Sequence, residues 1–219
     1  MSFYHHLQQA TTDQRADLLA SPIIAAALSG RVTREHYIDF LSRAYHHVKH
    51  TAPLLMACGA RLGDDKEWLR GAVAHYIEEE IGHHEWILND ITAAGGDAES
   101  VRHSRADFDT DLMVGYAYDI VARRNPVGLF GMVYVLEGTS VSLATQVARS
   151  LQQSLDLPAE AFSYLSSHGA LDVEHIGHFQ SVVDRLDLEA DQVAVEQSAQ
   201  VMFRLYGNVL RGIELGRSQ

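Results

Sequence analysis

The sequence predicts an all-α protein, a bundle of seven or eight helices occupying residues 1–219 as a single domain. Three observations carry that expectation. Nearly every segment repeats its apolar residues at helical spacing, and none alternates polar with apolar residues as a half-buried strand does. Glycine, proline and asparagine fall between those segments as punctuation. The composition, 47% hydrophobic and 21% charged with 4 prolines in 219 residues, is that of a soluble globular chain long enough to bury a core.

Taken in order, an amphipathic helix is expected over about residues 3–19. Ser21-Pro22 supplies a cap and a proline at the first helical position for a short helix that Gly30 ends. Thr33 caps the next, roughly 34–62, with Glu35 in its first turn, and Pro53 is expected to kink it by removing a backbone donor. After the Gly63-Asp64-Asp65 turn, one long helix is expected to reach about Ala94, where Gly95-Gly96 stops it. Residues 97–106 read as a polar connection. A helix over about 109–124 follows, and Asn125-Pro126 separates it from the most apolar helix, 126–155. Leu157-Pro158 opens a segment that either continues through Gly169 or breaks there, and a last helix covers about 189–215. No repeat or domain boundary interrupts this pattern.

The charge balance narrows the function. Net charge is −12 with no basic stripe, which argues against nucleic-acid and anionic-membrane partners, since both need clustered Lys and Arg. The single cysteine, Cys58, excludes an internal disulfide and suits a reducing cytoplasm; it reads as a core residue. The N-terminal stretch MSFYHHLQQATTDQ lacks the apolar run of a signal peptide or anchor. Thirteen histidines are the anomaly, of which His5 and His6 read as a solvated feature.

The stretch SHGALDVEHIGH places His168, Asp172 and His175 at i, i+4 and i+7, on one helix face. Two imidazoles and a carboxylate aimed the same way suit iron, manganese or zinc. In EEEIGHH, Glu80 and His83 repeat the acid-x-x-His spacing of Asp172 and His175; Glu79, four residues before His83, is an alternative to Glu80. Three consecutive glutamates on a helix are otherwise an ordinary solvated face.

Glu137 stands inside an apolar run, with Phe130, Val133, Tyr134, Val141, Ala144 and Ala148 on its stripe. A buried carboxylate needs a cation or strong donors, so the alternatives to a metal are an arginine ion pair or a protonated acid bonded to a tyrosine. Dimetal carboxylate bundles use lone glutamates from two helices and acid-x-x-His pairs from two others. His47 falls on an apolar stripe and points inward, as a core histidine or a group behind the ligands or facing substrate; His75 is similar. Tyr45, Tyr116, Tyr118, Tyr134 and Tyr164 are candidates for a pocket, or ordinary core packing.

The stretch LASPIIAAALSGRVTREHYIDFLSRAYHHVKH resembles the opening of the heme-oxygenase-like helical proteins that include thiaminase II and pyrroloquinoline-quinone synthase. The motifs EEEIGHH, VLEGTS and HGALDVEH place the chain nearer the heme-oxygenase-like diiron oxidases, often called iron-containing redox enzymes, and the resemblance covers almost its whole length. It implies a heme-oxygenase-like bundle, a homodimer, and two Fe(II), with Mn possible, held by Glu80, His83, Glu137, His168, Asp172 and His175. It further implies O2 as co-substrate for oxidation of a small organic acid or amine. The segment PVGLFGMVYVLEG lacks the cysteine nucleophile that thiaminase II carries on that helix. The reading from a different class is a non-catalytic helical protein that binds a metal or small ligand on the same scaffold.

Overall fold

The computed structural model describes residues 2–216, the side chains of Ser142 and of residues 168–175 excepted. Twelve α-helices, with short 3-10 turns at Asp64–Lys66, Pro126–Gly128 and Ala159–Phe162, make up the regular structure among the described residues. The number exceeds the seven or eight expected because several long periodic segments are broken. In chain order they are α1 (Phe3–Ala10), α2 (Thr12–Leu19), α3 (Pro22–Leu28), α4 (Arg34–Val48), α5 (Thr51–Arg61) and α6 (Glu67–Glu80). Then come α7 (His83–Ala93), α8 (Ala98–His103), α9 (Phe108–Arg123), α10 (Leu129–Ser154), α11 (Ser163–Val183) and α12 (Glu189–Arg211).

Each break has a local cause. The Thr11 hydroxyl donates to the Leu7 carbonyl at 2.7 Å, and the helix expected over 3–19 divides there. The segment 34–62 does not merely kink: it divides at Lys49-His50, one turn before Pro53, which has no N–H to offer the Lys49 carbonyl. The segment expected to run unbroken to Ala94 divides at Ile81-Gly82. Gly82 adopts φ +93°, a left-handed conformation that L side chains disfavour, and its carbonyl then accepts from Glu85 N–H at 2.9 Å to start α7. Within the expected connection 97–106, Asp97 accepts from Ser100 N–H at 2.9 Å and caps α8. By contrast, the backbone of α11 is helical straight through Gly169.

The core lies around α10, which packs most extensively on α11 and α12. Gly131 permits the approach to α12, since a Cβ there would meet Val195 O at 2.5 Å and Ala199 N at 2.6 Å. Between Pro126–Val141 and Leu143–Ser154 the helix axis turns by 44°. At its far end Ser150 donates to Ala27 O at 2.7 Å, pinning the end of α3 there. Cys58 is buried, its thiol facing Pro126 O at 3.3 Å, and burial pushes its pKa up to about 12, as befits a packed residue. No single helix among the described residues is long and apolar enough to cross a membrane.

Candidate functional site

A cavity of about 170 Å3 runs along α10 and is lined by residues of α3, α4, α5, α6, the start of α11 and α12. Most of its lining is aliphatic, and two carboxylates, Glu80 and Glu137, reach it. Glu137 is 9% exposed, amid the buried Phe130, Tyr134, Ala144 and Ala148 of the same helix, as periodicity required. A carboxylate in such a place is retained only where a cation or strong donors offset its desolvation.

Glu80 is the last residue of α6 and His83 the first of α7, so the acid-x-x-His spacing spans a break, not a continuous helix turn. The pair still closes: Glu80 Oε2 and His83 Nδ1 are 3.3 Å apart, with the His83 side chain 4% exposed. The Trp86 ring lies against the His83 ring, 4.2 Å between centroids. Glu79 points elsewhere, toward His75 at 3.4 Å on a more exposed surface. His75 in turn meets the His178 ring at 4.7 Å, and His178 lies 5.4 Å from the Tyr76 ring. Glu80, not Glu79, is the member of the acidic run that lines the cavity among the described residues.

Tyr76, one helical turn before Glu80, lines the same cavity as Glu80 and Glu137. Burial raises its pKa far above the ordinary tyrosine value, and Glu137, Glu79 and Glu80 each raise it further. Its buried hydroxyl has no hydrogen-bond partner among the described residues. Two carboxylates, Glu80 of α6 and Glu137 of α10, thus line one apolar cavity together with the buried Tyr76, a setting that favours a cation. The oxygen and imidazole donors of Glu80, His83 and Glu137 suit iron or manganese.

His168, Asp172 and His175 belong to α11, but their side chains lie outside the described residues. Among the described residues no three His, Cys, Asp or Glu side chains form a complete metal-binding group. What is visible is one side of the expected ligand set, on α6, α7 and α10.

Asp90 ties the two sides together. It is fully buried on α7, and its carboxylate accepts from the Ser163 hydroxyl and from Tyr164 N–H at 2.8 Å. Those are the first residues of α11, whose own N-cap, Phe162, has no side chain able to cap it. The helix carrying His83 therefore caps the helix carrying the remaining expected ligands. Sequence reading missed Asp90 because its partners are more than seventy positions away.

The tyrosines needed the fold to sort them. Of Tyr45, Tyr116, Tyr118, Tyr134 and Tyr164, only Tyr164 lines the cavity among the described residues, together with Tyr37, Tyr76 and Tyr206. Tyr134 packs between Tyr4, Phe179 and Phe203, and Tyr118 bonds to His50 at 3.1 Å. Tyr76 was legible in principle, being four residues before Glu80 on the same face. His47 does face inward: it is buried, lines the cavity and stands edge-on to Tyr206 at 5.9 Å. Burial pushes the Tyr206 pKa up to about 12.

The family profile described as "Iron-containing redox enzyme" matches residues 38–207. No curated protein matches the chain. Among solved structures, a domain of unknown function with a heme oxygenase-like fold from Shewanella denitrificans is 25% identical, with a TM-score of 0.87 over 97% of this chain and 92% of the other. A TenA homolog from Pseudomonas syringae pv. tomato is 12% identical, with a TM-score of 0.81 over 96% of this chain and 92% of the other. Heme oxygenase-1 from the cyanobacterium Synechocystis, solved in complex with heme, is 13% identical, with a TM-score of 0.74 over 98% of this chain and 93% of the other. The fold is heme-oxygenase-like.

Proposed function

The chain belongs to the iron-containing redox enzyme family, and from that premise we propose that it is a non-heme diiron oxidase or oxygenase, using O2 to oxidise a small organic acid or amine. The observation that carries this reading is the placement of two carboxylates, Glu80 and Glu137, with the buried Tyr76 on the wall of one largely aliphatic cavity. Glu80, His83 and Glu137 would hold the metals from one side, and His168, Asp172 and His175 from α11. Two ferrous ions bound there would supply the electrons for O2 activation.

The protein's own contributions follow from its geometry. The middle of a buried helix stripe holds the Glu137 carboxylate in place. The Tyr76 hydroxyl keeps its proton throughout the working pH range, since burial and three acids oppose its ionisation. The largely aliphatic lining offers water few partners beside the reacting centre, which would limit side reactions. Asp90 keeps α11 in register with α7.

Metal analysis tests the assignment. Protein produced with iron is expected to hold up to two Fe per chain, and Glu137→Ala and Asp172→Ala to lose a clear fraction; wild-type iron in both variants would refute it. Within α11, His175→Ala is expected to lose iron, whereas Glu174→Ala and His178→Ala retain it. The proposal includes a homodimer, with the exposed Phe108 and Leu112 of α9, one turn apart, as apolar surface for it. Light scattering that returned the 24.3 kDa monomer mass would count against pairing.

A further inference from the structure

The cavity reaches well beyond the acidic cluster. Its α10 lining runs from Leu129 to Leu151, and Leu151 lies fourteen residues past Glu137, roughly 21 Å along the helix path at about 1.5 Å per residue. The other wall of that remote arm is α3, pinned where Ser150 donates to the Ala27 carbonyl at 2.7 Å. The same carbonyl accepts from Gly30 N–H at 3.2 Å, so both of its lone pairs are used and it calls for no water. Among the described residues, every lining side chain that α3 and the part of α10 beyond Ser140 supply is aliphatic.

Ala27 and Ala144, one on each wall, are 6% and 4% exposed, so the arm is built from core residues and yet is left unfilled. Close-packed interiors leave few such voids, because a void forfeits contacts for every group that lines it. The whole cavity, about 170 Å3, is close to the roughly 150 Å3 of an engineered apolar cavity that stays dry and takes up benzene or xenon. Drawn out along α10 as it is, the space is slender, and a diatomic gas needs only a small part of it. O2 is apolar, and its transfer from water into an apolar space is favourable.

We propose that the aliphatic arm between α3 and the far half of α10 is a dioxygen site, which collects the gas from solution and passes it along α10 to the Glu80–Glu137 end. The arm takes up small apolar gases by its lining alone; that O2 is the one put to use rests on the oxidase reading. Ala27 and Ala144 are then the residues whose small side chains keep the arm open.

The test begins with metal-free protein carrying isotopically labelled methyl groups, placed under xenon and, separately, under O2 pressure. Xenon shifts the resonances of the methyls it touches, and O2, being paramagnetic, hastens their relaxation. The methyls of Ile23, Val147 and Leu151 are expected to respond about threefold or more strongly than those of Leu69 and Ile87, which are fully buried but do not line the cavity. Ala144→Leu and Ala27→Leu each fill the arm from one wall and should remove that response, with retained melting temperatures showing an intact core. In ferrous-loaded protein the same two variants should keep their iron but slow its oxidation by dissolved O2 about threefold or more, an effect that fades as the O2 pressure is raised. Wild-type methyl responses no greater than those of Leu69 and Ile87 would overturn the site. Unchanged oxidation rates in variants that no longer take up xenon would overturn the delivery. Failure of the oxidase reading would show separately, as absent iron with the gas responses intact.

Discussion

Replacing Asp90 by alanine should loosen the bundle at the joint between α7 and α11. The carboxylate is fully buried and accepts from two donors, the Ser163 hydroxyl and Tyr164 N–H at 2.8 Å. Hydrogen bonds to a charged group contribute about 1.5–3 kcal/mol, and loss of a helix cap costs about 1 kcal/mol. The variant also escapes the cost of burying the carboxylate, so the net destabilisation is set at about 2–3 kcal/mol. At about 2–4 °C per kcal/mol for a chain of this size, the melting temperature should fall by roughly 4–12 °C. Asp90→Asn keeps an acceptor and should lie close to wild type. Hydrogen exchange adds a local reading, with the Tyr164 amide losing protection in the alanine variant first.

The same residue sets a pH trend. Burial raises the Asp90 pKa above its ordinary value, although the Ser163 and Tyr164 bonds pull the other way. The folded chain thus keeps this proton to higher pH than the unfolded chain. The contribution of Asp90 to stability falls as pH rises from the ordinary aspartate range through the folded-state pKa, then levels off. Asp90→Asn should remove that slope. An alanine variant within 0.5 kcal/mol (about the spread of neutral surface changes) and with unchanged Tyr164 protection would refute the capping argument.

Two further outcomes are expected. Gly82→Ala meets no steric neighbour, so its cost is that of holding an L residue at φ +93°, about 1–2 kcal/mol; because Gly82 sets the angle between Glu80 and His83, the variant should also lose iron, measured by metal analysis. Cys58, buried and with its pKa pushed up to about 12, should resist iodoacetamide at pH 8 in the folded protein and react on unfolding; rapid labelling of native protein would contradict its packing.

Much of this protein is legible from local chemistry. Pro22, Thr33 and Asn125 mark helix starts because caps and proline at the first position act within one turn. Periodicity alone put Glu137 in a buried stripe, since burial of one helix face follows from its 3.6-residue repeat. Cys58 as a core residue and an all-α fold came from the same level.

Where the helices break was less legible. Apolar spacing continues through Thr11, Lys49-His50 and Ile81-Gly82, so a window of periodicity joins segments that the backbone separates. Which acid of Glu78-Glu79-Glu80 faces inward depended on the break at Ile81, which turns Glu80 toward His83 and leaves Glu79 beside His75. Tertiary structure alone decided that Tyr76, rather than Tyr134, shares the cavity wall with Glu80 and Glu137, and that Asp90 caps a helix more than seventy residues away. Helix propensity, capping and amphipathic spacing act through neighbours along the chain, and a single sequence displays them. The convergence of α4, α6, α10 and the start of α11 on one cavity is a matter of how packed helices are rotated against one another, and that is fixed by the whole core at once.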